Sequence, residues 1–145
     1  MKPLITLLIL AFFSFSFSQR IISQEFYEGK IDEKNEISLY FKIHENGCPT
    51  TEMNAIYKYK SNKTGEWILL DVFFKEGKNQ YTLVEHFNTG ILILKKENGT
   101  LKGLWISPDG KKQLKVELKK IKVSKTEIEN LEKALENENY EAHDC

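Results

Sequence analysis

Apolar and polar residues alternate along most of the chain. In "EISLYFKIH" the residues Ile37, Leu39, Phe41 and Ile43 alternate with Ser38, Tyr40, Lys42 and His44, the period of a strand with one buried face. A shorter segment, "EFYEGKI", precedes it across Asp32 to Asn35 as the first arm of a hairpin. "EMNAIYKYK" then sets Met53, Ala55, Tyr57 and Tyr59 against Lys58 and Lys60. "EWILLDVFF" is apolar on both faces, with Ile68, Leu70, Val72 and Phe74 opposite Trp67, Leu69 and Phe73. Four more segments follow: "QYTLVEHF", "ILILKK", "TLKGLWIS" and "KQLKVELKKI". Their connectors, "KEGKN", "NTG", "ENG" and "PDGK", have the Gly, Asn and Asp chemistry of tight turns. Eight strands with no helix between them predict an all-β fold, an antiparallel meander. An open sheet of that length would leave two long edges, so the expectation is closure into a small barrel. Gly29, Gly90 and Gly103, at or inside strands, fit the sharp coiling such a barrel needs.

The period changes after residue 123. Ser124 and Glu127 have capping-box spacing, and Ile128, Leu131, Ala134 and Leu135 fall on one stripe while Glu129, Glu132, Lys133 and Glu136 face away. A short amphipathic helix is therefore predicted. It is marginal alone in water and needs an apolar surface to cover. The doubly apolar segments at Trp67 to Phe74 and Ile91 to Leu94 are the surfaces on offer.

The first residues read differently from all of this. Met1-Lys2-Pro3, the apolar run "LITLLILAFFSFSF" and the small residues Ser16 and Ser18 describe an export signal, with cleavage expected after Ser18. The run is shorter than the roughly 18 to 20 apolar residues that span a bilayer, so no permanent membrane span is expected. The expected organisation is signal 1-18, barrel 19-123 and helix with tail 124-145. The mature 127 residues are enough for one domain with a modest core.

The whole chain carries 21 basic and 21 acidic residues, and the signal removes only Lys2 among them. Near-neutrality and export together exclude a general nucleic-acid binder. Charge is nevertheless segregated. Ten lysines stand between Lys95 and Lys125 against Glu97, Asp109 and Glu117, whereas seven acids face only Lys133 from Thr126 onward. Two readings are open, solvated faces or an acidic tail docked on the lysine-rich strands.

Two cysteines, Cys48 and Cys145, remain in the mature chain. Export favours disulfides, and with no other thiol the one intramolecular bridge available is Cys48 to Cys145. Closing a loop of that length would stabilise the fold by roughly 4 to 5 kcal/mol in the chain-entropy account. A free C-terminal thiol and an intermolecular bridge are the alternatives, since Gly47 and Pro49 place Cys48 in a loop.

Eight meandering strands, an export signal, a helix after the last strand and a cysteine tying the tail resemble the calycins, the superfamily that includes the lipocalins. The triplet Gly103-Leu104-Trp105 matches the lipocalin Gly-x-Trp pattern but falls in the seventh strand, and the first strand has Gly29-Lys30-Ile31. The resemblance is architectural and transfers no binding residue. The chain also looks like small secreted barrel proteins of bacterial envelopes, a likeness that implies no common function.

Chemistry-bearing residues are sparse. The three histidines are His44, His86 and His143; Glu85 and His86 set an acid beside a base, but as strand neighbours they point to opposite faces. The terminal His143-Asp144-Cys145 holds three metal-ligand types without a fixed fourth, so no metal is expected. Asp71 is the one acid in "WILLDVFF", either outward or buried and paired. No nucleophile elbow or phosphate loop is present. No cofactor and no catalytic residue are expected. The aromatics remain, with Tyr57, Tyr59, Trp67, Phe73, Tyr81 and Trp105 on neighbouring strands. They either fill the barrel or line an apolar cup, for which Tyr57, Tyr59, Trp67, Phe73 and Trp105 are the candidate ligand-binding residues. The function expected is an exported, secreted or periplasmic, monomeric and non-enzymatic binding module for an apolar or amphipathic small ligand. The alternative is a protein-interaction module, such as an inhibitor of an exported hydrolase or an envelope scaffold, using the lysine-rich strands or the loop "HENGCPTTE".

Overall fold

The structure is a computed structural model that describes residues 20–46, 50–75 and 77–143. The expected export signal, Cys48 and Cys145 lie outside the described residues, and with them the expected disulfide pairing. Eight strands are present: β1 (Ile21–Ile31), β2 (Asn35–Glu45), β3 (Thr51–Tyr59), β4 (Ile68–Lys75), β5 (Gln80–Glu85), β6 (Ile91–Glu97), β7 (Thr100–Ile106) and β8 (Gln113–Ile121). Each pairs antiparallel with the next, and β8 returns to β1 from Phe26↔Ile121 to Ile31↔Val116, so the meander closes as expected. Closure removes both edges of the sheet. Turn chemistry sets the register. Between β6 and β7, Asn98 and Gly99 both take left-handed conformations (φ 48° and 77°), the geometry of a two-residue hairpin turn matched to strand twist.

Alternation sends one set of side chains inward. Leu39, Phe41, Leu83, Leu92, Leu94, Leu101 and Leu118 are almost fully buried there with Tyr27 and Tyr57, and Tyr81 stacks between Phe41 and Phe74. The barrel is filled by its own side chains, the state open to an eight-stranded barrel whose interior residues are large. Gly29 and Gly103 serve the coiling: a Cβ at either would run into the backbone of the neighbouring strand, at Glu117 and Ile93 respectively.

One helix, α1 (Lys125–His143), follows β8. The Ser124 hydroxyl accepts from the Glu127 N–H at 3.2 Å, and Leu131 and Leu135 are buried as the stripe predicts. What they cover is one row across four strands. Phe26, Tyr40, Ile56 and Leu69 are successive register partners, all pointing outward, and the helix lies along them with Ile128 and Ala134 packed at its sides. Each fully buried leucine there contributes roughly 1.5 to 3 kcal/mol. The expected helix seat is thus half right. Trp67 and Leu69 are under it, whereas Ile91 and Ile93 are not, because the row is completed by Phe26, Tyr40 and Ile56 instead. Among the described residues no acid of α1 pairs with the lysine-rich strands β6 to β8, and Glu132 of α1 takes Lys42 of β2 at 2.9 Å. Among the described residues no helix is long and apolar enough to cross a membrane.

Candidate functional site

In an up-and-down barrel all odd strands run one way. The last residues of β3, β5 and β7 therefore share one end with the turns after them, and the start of β1 shares the other end with the last residues of β6 and β8. Both ends carry an inward-pointing acid. The first is Glu85, the last residue of β5, which is only 4% exposed. Its Oε1 accepts from the Tyr57 hydroxyl at 2.5 Å and from the Trp105 indole Nε1–H at 2.9 Å, and the Thr89 hydroxyl donates to its Oε2. The Tyr59 hydroxyl is 3.4 Å from that of Tyr57. Every donor is neutral, and among the described residues no cation pairs with Glu85. Burial, then the hydrogen bond to Glu85, raises the Tyr57 phenol far above the ordinary tyrosine range, so it stays a donor at any physiological pH. Gly90 makes room for this cluster. A Cβ there would stand 2.6 Å from both Glu85 Oε1 and Trp105 Nε1.

The second acid is Glu25, near the start of β1. Lys96 donates to both its oxygens at 2.9 and 2.7 Å, Lys120 donates at 2.7 Å, and the Tyr27 hydroxyl donates at 2.7 Å. Burial pushes its carboxyl up, but the hydrogen bonds from Lys120, Lys96 and Tyr27 outweigh burial and hold it at about 2. Burial, and then the hydrogen bond to the same carboxylate, raise the Tyr27 phenol.

The five candidate ligand residues divide between these sites and the outside. Tyr57, Tyr59 and Trp105 are interior and meet at Glu85. Trp67 is outside, half-buried at the edge of the α1 seat with the Lys58 ammonium 4.4 Å above its ring. Phe73 is also outside and 63% exposed. Five residues that adjoin in sequence patterning thus do not form one cup. Strand parity separates them, and in a strand apolar on both faces the pattern does not say which face is inner. Asp71 points outward, with its carboxylate 3.8 Å from His86 Nδ1, and the His86 ring stacks near His143 at 5.1 Å between centroids. Glu85 and His86 do face opposite sides. Among the described residues no group of three His, Cys, Asp or Glu side chains is placed to hold a metal ion, and Asp144 and Cys145 lie outside those residues.

Glu25 and Glu85 are the functional-type groups that pattern reading passed over, and a signal for them exists. In Tyr81-Thr82-Leu83-Val84-Glu85 the acid continues the inward parity of Tyr81 and Leu83, and Lys96 and Lys120 continue the inward parities of Leu94 and Leu118. A charge at an apolar parity near a strand end marks a plug.

Room for a ligand is on the outside. A cleft of about 710 Å³ lies between the first turns of α1 and strands β1 to β3, with Phe26, Trp67 and Leu131 as apolar lining and Glu28, Ser38, Lys58 and Lys60 as polar lining. Its floor is internally paired, since Glu28 accepts from Ser38 at 3.2 Å and from Lys60 at 2.8 Å. A closed eight-stranded antiparallel barrel with one C-terminal helix is an architecture of the calycin kind. Compared with protein-family models, curated proteins and solved structures, the chain has no significant match.

Proposed function

We propose that this chain is an exported, non-enzymatic recognition module that works through the outside of its barrel and takes a protein partner. One observation carries the reading: the interior is packed with the protein's own side chains, and each polar end is closed on itself by Glu25 or Glu85. A ligand held in a lipocalin-like cup would have to displace Tyr57 or Trp105 and strand the Glu85 carboxylate without donors, a cost of several kcal/mol. Against an enzyme stands the make-up of the one acid cluster with convergent hydroxyls. Its partners are the Tyr57, Tyr59 and Thr89 hydroxyls and the Trp105 indole, and among the described residues no His, Lys or Cys hydrogen-bonds to it. Export rests on the Lys2 to Ser18 pattern. A second reading keeps a small amphipathic ligand but moves it to the cleft beside Trp67, where an apolar wall faces Lys58 and Lys60.

Native mass spectrometry of the mature protein, purified from its own exported fraction without detergent, tests the reading. Either the bare chain mass or a non-covalent complex with a second protein is expected. An adduct of small-molecule mass that survives Trp67→Ala but is lost in Trp105→Phe would place a ligand inside the barrel and overturn it.

A further inference from the structure

The helix covers a single transverse row and reaches no further than β4 and its border with β5. Around the barrel from there, six outward residues spread over four adjacent strands are apolar again: Phe73, Val84, Ile91, Ile93, Leu104 and Ile106. In register, Phe73 of β4 neighbours Thr82 of β5, then Ile93 of β6 and Leu104 of β7; the adjacent row runs from Asp71 to Val84, Ile91 and Ile106. Phe73 is 63% exposed and Ile93 36%, and Val84, Ile91, Leu104 and Ile106 are half-buried. Lone outward apolar residues are ordinary on strands and need no account. A continuous block on four strands is different, because the same barrel places Gln113, Lys115, Glu117 and Lys119 outward on the neighbouring β8, where the sheet meets water. Among the described residues nothing covers the block.

Lysines dominate one edge of the block, whereas Asp71 at the opposite corner faces His86. The next row is Lys75, Gln80, Lys95 and Lys102, and Lys115 flanks Leu104. Lys95 and Lys102 are joined to Glu97 and Glu117 by loose contacts of 3.6 and 3.5 Å between exposed groups, which hold them weakly. Among the described residues neither Lys75 nor Lys115 has a carboxylate partner. A second copy would bring the same lysines to the contact.

We infer that the outer face of β4 to β7 is a docking surface for a protein segment that presents apolar side chains flanked by Asp or Glu. This rests on the proposed outside-recognition reading and narrows it to one face and one partner chemistry. Apolar burial against Phe73 and Ile93 supplies the affinity, and the lysine border orients the partner and speeds its arrival. Phe73 and Ile93 are the most exposed apolar residues of the block, so a charge placed there weakens docking far more than folding.

The test is selection of a random displayed-peptide library on the purified mature protein, followed by binding of the enriched peptides to variants. Enriched peptides are expected to combine aromatic or branched apolar residues with acids. Their binding should weaken about tenfold or more in Phe73→Asp or Ile93→Asp, and several-fold in Lys75→Glu with Lys115→Glu or at high salt, with the thermal midpoint unchanged. Apolar peptides without acids, indifferent to the lysine variants, would overturn the partner chemistry and keep the face. Peptides indifferent to Phe73 and Ile93, no enrichment at all, or a self-associated protein made monomeric by Ile93→Asp would each overturn the inference. All four leave the outside-recognition reading standing, because only a ligand inside the barrel, read by mass, removes it.

Discussion

The two ends of the barrel solve one problem with opposite chemistry. At one end Glu25 sits among Lys96, Lys120 and Tyr27, an ion cluster whose lysines are 31% and 44% exposed. At the other, Glu85 is held by Tyr57, Trp105 and Thr89, all uncharged, with the carboxylate and Tyr57 buried. The reason for the difference is access to water. Lysine stems can line the wall and leave their heads in solvent, so the Glu25 end tolerates net charge at a wet rim. The Glu85 end is deeper, and aromatic donors bring hydrogen bonds there without bringing a cation that would itself need solvating. One end therefore depends on charge and the other on satisfied donors. Substitution can separate the two.

The sharpest break is Glu85→Leu set against Glu85→Gln. Leucine fills the space but leaves the Tyr57 hydroxyl and the Trp105 N–H buried without an acceptor, at roughly 1 to 3 kcal/mol each. A loss of about 3 kcal/mol is expected, near 10 °C in thermal midpoint for a domain of this size. Glutamine keeps an oxygen for those two donors and turns its amide to the Thr89 oxygen, so Glu85→Gln should stay within about 1 kcal/mol of the parent. Equal losses in the two variants, measured by thermal unfolding, would show that the charge at this end matters and erase the contrast.

Gly90→Ala comes next. A methyl 2.6 Å from both Glu85 Oε1 and Trp105 Nε1 has to move one of them, and both are locked by each other and by Tyr57. Overpacking of this kind costs about 1 to 3 kcal/mol. In a Glu85→Ala background the same methyl meets an emptied site, so its cost should fall by at least half. A double-mutant cycle reads that coupling directly, and simple additivity would mean Gly90 serves strand geometry alone.

How much of this was legible beforehand follows from parity. Strict alternation in β2 and β3 gave Leu39, Phe41 and Tyr57 their inward places, and the Asn-Gly and Asp-Gly turns fixed hairpin order, so barrel closure could be read without coordinates. β4 could not be read so. Trp67 to Phe74 is apolar on both faces, and only the pairing of Leu70 with Ala55 and Leu69 with Ile56 decides that Phe73 is outside. The seat of α1 was ambiguous for the same reason, since two outward apolar regions compete and a sequence does not say which the helix crosses. Pattern reading does not single out Glu25, and it weighs Glu85 only against its chain neighbour His86. Their partners come from strands 71 and 20 residues away in the chain, so no local pattern announces them.

The smallest expected effect is the most specific to the Glu25 end. Its carboxyl titrates at about 2 in the fold against an ordinary value of 4.5. A folded-state value below the unfolded one contributes stability that is complete above about pH 4.5 and is lost as pH falls toward 2. The full shift would be worth about 3 kcal/mol at 1.36 kcal/mol per unit, and screening at the half-exposed lysines trims it to about 1 to 2. Glu132, also held low, though less so, by Lys42, Gln24 and Tyr40 against its burial, adds to the same acid limb. Glu25→Gln should therefore lose about 1 to 2 kcal/mol at neutral pH, where Lys96 and Lys120 are left without their counter-ion. It should flatten, without abolishing, the fall in stability between pH 4.5 and 2. The deficit should shrink in molar salt, since the contact lies within reach of screening ions. Denaturant unfolding of parent and variant across that range gives the answer. Parallel acid limbs in the two proteins would mean that the lysines hold Glu25 no better than water does, and the ionic end would then be a rim of solvated charges.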